Sequence, residues 1–467
     1  MVSKKRNLLF ILISAAVIIV SFIVFFNGFD SSQKKPNVVI ILVDTLRADH
    51  CSLYGYRRNT TPNLKRIAAK GLKLENHFAN SPWTKPSVAS IITGLLPTAH
   101  GSRIGQFEDL KEKKSPLVEV LNPGVKTLAE TLKENGYSTH AFLSNWHLTP
   151  KFGYAQGYDD YYLQADWHFE GGVWKLDKKL MHSTAEVLEK NKEKGKPVFI
   201  WCHLMSVHDY CSPTDSDKFL PERSTPIPKD AAQIRRVKDY DSIEKAVCDY
   251  DASILYVDRL VGELFDFIVT HAPNTIFIVT SDHGEEFYEH GGFDHSRTLY
   301  NEILRVPGVI WGPGVPTGVM THMSDSIDLL PTILTYLGID VDSDLKGSAL
   351  FRGNNICREK EKEVFAEQHH FGHYKRFTLI RDGKKMIINR HKKTGEEIFE
   401  FYGDALDIEK KNIFDSMGRE MVKQFKQIIN RYKKENILYF KRKIGKRQYK
   451  NLDKEDIQRL RSLGYIE

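Results

Sequence analysis

Residues 36–50 read PNVVIILVDTLRADH, and the fold turns on how this stretch is read. Residues 38–43 (VVIILV) are apolar without a break and mostly β-branched. A strand with one wet face would alternate, so this one is expected to be buried on both faces of a parallel sheet. Asp44 follows it directly. Working outward, residues 198–204 and 275–280 (TIFIVT) repeat the buried pattern, and the second runs into Ser281-Asp282-His283. Residues 127–135 predict a helix closed by Gly136, with a strand over 138–143. Ile254, Val257, Val261, Leu264 and Phe265 recur at helical spacing. Strands alternating with helices predict an α/β fold, a large mostly parallel sheet flanked by helices. Beyond residue 345 the texture changes. Residues 377–389 and 397–402 read as short antiparallel strands and 419–434 as an amphipathic helix, a small C-terminal α+β subdomain.

Composition limits what such a chain can be. Of 467 residues, 41% are hydrophobic and 27% charged, which excludes disordered, collagen-like and multi-span membrane classes. Lys+Arg 67 against Asp+Glu 60 leaves +7, too mild for its length to indicate a nucleic-acid partner. Residues 8–26 are apolar except for Ser14 and Ser21. At about 1.5 Å per residue they nearly match a hydrocarbon core of about 30 Å. Lys4, Lys5 and Arg6 precede them, which favours a cytoplasmic N-terminus. The expected organisation is a cytoplasmic tail (1–7), a transmembrane anchor (8–26), a linker (27–35), a catalytic domain (36–345) and the C-terminal subdomain (346–467). That makes a single-pass cell-membrane protein with its catalytic part outside the cytoplasm. The five cysteines are an odd count and do not form a disulfide scaffold. Residues 431–450 hold nine Lys/Arg and one acid, Glu435, either a solvated face or a surface for anionic head groups.

Chemistry gathers at the carboxyl ends of strands in open α/β sheets. A carboxylate at Asp44 and the pair Asp282-His283 on neighbouring strand ends can converge on one divalent cation. A mixed Asp/His/Thr set suits zinc or manganese better than calcium, which prefers all-oxygen ligands. The stretch DHGEEFYEHGGFDH places His283, His290 and His295 within thirteen residues. In residues 81–94, SPWTKPSVASIITG, Pro86 suits a first helical turn and Gly94 a stop. Thr84 would lie at that helix start, either as its N-cap or as a nucleophile activated by a metal.

Taken together, these segments resemble the sulfatase family of the alkaline phosphatase superfamily from about residue 36 to 338. PNVVIILVDTLRADH resembles its first metal motif, SDHGE its later one, and TKPSVASIITG its nucleophile motif, Cys or Ser-x-Pro-Ser-Arg-x-x-Leu-x-Thr-Gly. The resemblance implies Asp44, Asp282 and His283 as metal ligands with Thr84 as ligand and nucleophile. HLMSVHDY resembles a segment with a substrate-binding histidine, which implies His208 and, second, His203. NWHL resembles Gly-Lys-Trp-His-Leu, so His147 keeps the histidine while Asn145 replaces the lysine. Lys85 would contact the transferred group. His290 and His295 would contact substrate oxygens or a second metal.

Thr84 cannot become the formylglycine that sulfatases make from Cys or Ser, and Val88 replaces the arginine that supports it. Thr45 stands where a second metal-binding aspartate is frequent. No formylglycine is expected. A threonine nucleophile resembles instead the phosphoethanolamine transferases, lipoteichoic acid synthases and nucleotide pyrophosphatases of the superfamily. The implied enzyme is a metal-dependent hydrolase or transferase of phosphate mono- or diesters, on a substrate that is lipid- or glycan-linked. His208 would protonate the leaving oxygen, and Lys85 and His295 would neutralise equatorial charge. The alternatives are sulfuric ester hydrolysis by threonine directly, and an inactive relative acting as a binding module. Specificity is expected in residues 107–122, 164–176 and 213–238.

Overall fold

The computed structural model describes residues 34–103, 117–164, 172–212, 215, 218–221, 223–228, 240–357, 362–369, 372–406 and 409–462. The expected anchor lies outside them, as do most of the three stretches assigned to specificity. Among the described residues no helix is long and apolar enough to cross a membrane.

The stretch that opens the sequence reading forms β1 (Asn37–Val43), one strand of an eight-stranded sheet. The others are β2 (Leu72–Phe78), β3 (Ser138–Leu143), β4 (Asp160–Leu163), β5 (Val198–Leu204), β6 (Thr275–Thr280), β7 (Arg305–Trp311) and β8 (Gly318–Asp325). Their spatial order is β8-β2-β7-β6-β1-β5-β3-β4. Every pairing is parallel except the two made by β7, which runs against both β2 and β6. The mostly parallel sheet expected from the buried runs is therefore present, with one reversed strand inside it.

Both faces are covered, as the unbroken apolar runs require. Val38, Ile40 and Leu42 of β1 point into one core with Ile276, Ile278, Phe199 and Trp201. Helices α2 (Thr84–Thr93), α3 (Leu128–Glu134) and α6 (Leu329–Tyr336) close that side. Val39, Ile41 and Val43 point the other way, against α1 (Pro62–Ala68), α4 (Val173–Lys194) and α5 (Ile243–His271). Thr127 caps α3 through a reciprocal capping box with Glu130, which fixes where that helix starts.

The C-terminal part builds a second sheet of four antiparallel strands: β9 (Val364–Gln368), β10 (Tyr374–Arg381), β11 (Lys384–His391) and β12 (Glu397–Tyr402). The expected strand segment 377–389 is thus a hairpin, turned at Asp382-Gly383, where both residues have positive φ (51° and 69°). Helix α7 (Arg419–Tyr439) runs past its expected end at 434. Its Phe425, Ile428 and Ile429 pack on Phe377, Leu379, Met386 and Phe401, with Leu96 and Ile327 sharing this core. Residues 36–467 accordingly make one compact unit. All five cysteines are free thiols, three of them buried.

Candidate active site

Strand order assembles the site. β6, β1, β5 and β3 are consecutive in the sheet, with Leu42 level with both His203 and Thr280, and Leu143 level with His203. Their carboxyl ends therefore deliver Asp282, Asp44, His203 and Asn145 side by side. Thr45 turns the chain sharply after Asp44 at φ 59°. A β-branched residue is strained there, and the turn brings its amide 3.4 Å from Asp282 Oδ1.

The helix α2 begins at Thr84, and the extended residue before it, Trp83, is the cap. Thr84 is therefore not the N-cap, and its hydroxyl is left to the site. Oγ1 lies 3.3 Å from Asp44 Oδ2 and 3.3 Å from His283 Nε2. The whole helix is buried, held partly by the Ser87 hydroxyl donating to the Asp282 carbonyl at 2.5 Å. This placement holds the Thr84 hydroxyl rigidly beside Asp44 and His283.

Asp44, His203 and Asp282 are fully buried, and each offers a donor atom within 4.8 Å of the others'. His283 Nε2 joins them, 3.4 Å from Asp282 Oδ2 and 3.7 Å from Asp44 Oδ1. Its Nδ1 donates to the Gly284 carbonyl at 2.9 Å, which leaves Nε2 as the lone-pair side. Two carboxylate oxygens, Asp44 Oδ1 and Asp282 Oδ2, are buried among the described residues with no hydrogen-bond partner. Orphaned buried carboxylate oxygens are costly unless something cationic engages them. The donor set thus fits a divalent cation.

Electrostatics point the same way. Burial and the neighbouring charge of Asp44 push the Asp282 carboxyl up to about 7. Burial alone would raise Asp44 too, but positive charge at His208 and the His203 hydrogen bond hold it well below its usual range. Burial and the charge of His295 keep His283 neutral, the state a ligand needs.

The remaining histidines divide. His208 is buried and hydrogen-bonds through Nδ1 to Asp209 at 2.8 Å, with its ring 5.5 Å from His295. His295 stands 4.4 Å from the His283 ring, and burial opposes its charge. Asp294 at 2.8 Å and Glu285 at 3.3 Å outweigh that and raise it to about 10, so it is an imidazolium. His147 lies edge-on to Trp83 at 5.6 Å, and burial drives it down to about 3, so it is neutral. Its companion Asn145 had no role in the sequence reading beyond replacing a lysine. In the structure it donates to Asp44 Oδ2 at 2.9 Å and lies 3.4 Å from Thr84 Oγ1.

Two expected site residues are engaged elsewhere. The Lys85 ammonium donates to the Glu119 carbonyl and stands 5.0 Å from the Phe152 ring, and burial pulls it down to about 7. It is the second residue of a buried helix, and its charge also helps to depress His147. His290 bonds Glu302 at 2.7 Å and the Glu409 carbonyl at 3.0 Å and stacks on Tyr300. It braces the loop against the C-terminal part, and the second cluster of possible ligands, Glu285, Asp294 and His295, does not include it.

Known proteins share this fold. A structure of a putative sulfatase from Bacteroides fragilis superposes with a TM-score of 0.72 at 18% identity, covering 88% of this chain and 98% of that one. A phosphonate monoester hydrolase from Agrobacterium radiobacter gives 0.69 at 16% identity, covering 86% and 96%. In sequence, an N-acetylglucosamine-6-O-sulfatase from Bacteroides thetaiotaomicron is 24% identical over 409 residues, 68% of this chain and 70% of the relative. The sulfatase family profile matches residues 36–339, from the first strand past the last helix of the main sheet. With that match spanning well over half its length, the chain belongs to the sulfatase family.

Proposed function

We propose that this protein is a metal-dependent ester hydrolase or transferase that uses Thr84 as an unmodified nucleophile on phosphate mono- or diesters. The observation that carries the reading is the buried Thr84 hydroxyl, 3.3 Å from both Asp44 and His283 and next to two orphaned carboxylate oxygens. Asp44, Asp282 and His283 would hold the cation, with His203 in reach of the same point. A bound divalent cation lowers the pKa of a hydroxyl and polarises the ester oxygens. Thr84 Oγ1 would give up its proton to solvent, attack in line and form a bond to phosphorus as the bond to the leaving oxygen breaks. His208, oriented by Asp209, gives its proton to that oxygen. The His295 imidazolium neutralises charge on the equatorial oxygens, where a loose transition state accumulates it. Asn145 orients Asp44 beside the nucleophile, and Lys85 positions the start of its helix. Water or an acceptor hydroxyl then releases the group from Thr84. Tethering by residues 8–26, with the catalytic part outside the cytoplasm, belongs to the same proposal.

The second reading is sulfuric ester hydrolysis by the same threonine, favoured by relatives that are named as sulfatases. Intact-mass analysis after brief reaction with p-nitrophenyl phosphate diesters and, separately, p-nitrophenyl sulfate decides between them. A phosphoryl adduct is expected on the wild type and not on Thr84→Ala, whose kcat falls by about 10⁴-fold. A sulfuryl adduct would replace the phosphorus reading with the sulfur one. Full activity in Thr84→Ala with metal still bound would remove the covalent mechanism.

A further inference from the structure

We propose that the outer face of α7, with the basic segment after it, is a docking surface for a lipid bilayer that carries anionic head groups. The inference deepens the tether reading above. Residues 8–26 would bring the chain to a membrane, and this face would hold the catalytic part against it.

Helix α7 runs on directly into a π turn, Phe440–Ile444. At about 100° per residue, Phe425, Ile428, Ile429, Asn436 and Phe440 fall on one side of the axis, and all five are buried. Phe440 seats its ring over Gly101, where an added Cβ would lie 2.6 Å from it. This packing fixes which face looks outward. Ile437, Leu438 and Lys441 stand three, four and seven residues after Lys434, so these four share the opposite side, and all are exposed. Leu438 is 53% and Ile437 43% exposed, two adjacent branched apolar side chains left in water.

Residues 431–450 hold nine Lys/Arg and one acid, Glu435. Part of that charge is used inside the protein. Arg431 pairs with Glu363, Arg442 and Lys443 with Asp344, and Arg447 with Glu119. Lys433 lies 4.2 Å from the Phe377 ring, and Glu435 is matched by Lys346 at 2.9 Å. Lys434, Lys441, Lys446 and Lys450 are exposed and meet no carboxylate among the described residues. Two of these four flank the Ile437-Leu438 pair on the outer face.

That combination selects the partner. A basic patch by itself suits any polyanion. A soluble polyanion gains nothing from Ile437 and Leu438. A bilayer interface takes such side chains among its head groups while flanking lysines extend their stems to reach the phosphates. Each lysine close to an anionic leaflet strengthens binding by about fivefold.

Residues 36–467 form one compact unit that contains all four hydrophobic cores described. A chain starting at Pro36 therefore keeps the face and leaves out residues 8–26. Its co-sedimentation at low salt is measured with vesicles of phosphatidylcholine alone and of phosphatidylcholine mixed with phosphatidylglycerol. Binding is expected to the mixed vesicles only. The triple variant Lys434→Glu, Lys441→Glu, Lys446→Glu should weaken it by at least about thirtyfold. Leu438→Ser alone should weaken it by about fivefold. Thermal melts of both variants are expected to match the wild type, since every substituted side chain is exposed. A wild type that stays in the supernatant with the mixed vesicles overturns the proposal, as does equal binding to phosphatidylcholine alone. Leu438→Ser binding as tightly as the wild type also overturns it, and would mark the face as one for soluble polyanions. The full chain tests the tether separately: if high salt strips it from membranes, anchoring by residues 8–26 falls, while the vesicle result still decides the face.

Discussion

Asp44 and Asp282 crowd two carboxylates together at the ends of the central strands, where neither is exposed to water. Lys375 and Arg390 set two cations opposite each other in the C-terminal sheet at exposed positions. Both arrangements oppose folding, yet the response of the protein differs. In the buried cluster the repulsion is absorbed by proton affinity, and Asp282 rises to about 7. In the exposed pair, water and salt screen the charges, and Lys375 is pulled down by burial and by the charges of Arg103, Lys392 and Arg390. The contrast separates two electrostatic regimes: a dry cluster of fixed donors that fits a compact cation, and a wet pair of like charges that solvent screens.

The strongest way to break the comparison is Asp282→Asn. Loss of a ligand should cost at least about 100-fold in kcat/KM. The same change should stabilise the metal-free protein at pH 8. A carboxyl raised from about 4 to about 7 on folding penalises the folded state increasingly as pH climbs through that window. Removing it should return about 1–3 kcal/mol above pH 7 and nothing below pH 4. Thermal melts in chelator at both pH values check this, and a less stable variant at pH 8 would contradict the account of buried repulsion.

Salt sharpens the comparison with a smaller effect. Raising sodium chloride from about 50 to 500 mM shortens the screening length from roughly 14 to 4 Å. Lys375→Ala should be more stable than the wild type by about 0.3 kcal/mol at the lower salt and equal to it at the higher, read by urea denaturation, while kcat on a small ester changes by less than about twofold. An equal gain at both salt concentrations would contradict screening of this pair.

The last effect concerns His290, which links the two regions through Glu302 and Glu409. Burial lowers its pKa, but the Glu302 hydrogen bond and charge outweigh that and lift it from 6.5 to about 9. A histidine raised in this way contributes stability that is fully present below about pH 6.5 and is lost as pH rises through about 9. At this half-buried site His290→Gln should cost about 1 kcal/mol at pH 6 and none near pH 10. Urea denaturation at the two pH values measures it. Unchanged catalysis is expected at pH 6, since the ring lies outside the metal cluster.

Much of the frame was legible because burial on both faces leaves a plain signature. The runs at 38–43, 198–204 and 275–280 are strands of the central sheet, and the polar residues that end the first and third are buried together. Thr84 was legible as a helix start, though one residue off as a cap, because Trp83 takes the extended conformation. His203 and Asn145 were not legible as neighbours of Asp44. Each sits in or just past an apolar strand, and a strand carries no mark of which strands flank it. Lys85 looked like a lysine for the transferred group because the sequence does not reveal that its helix is buried on all sides.

The sequence by itself determined the layered α/β sheet, the strand ends that carry Asp44 and Asp282, and membership of a family through motifs in a fixed order. These are properties of short segments, whose burial and turns are set by local residue type and spacing. Only the tertiary structure decided which strand ends meet, that Lys85 and His290 are engaged away from Thr84, and that Arg103, Lys375, Arg390 and Lys433 line one hollow. Those are contacts between residues tens to hundreds of positions apart. They follow from strand order and packing, which the pattern of apolar residues along a chain does not encode.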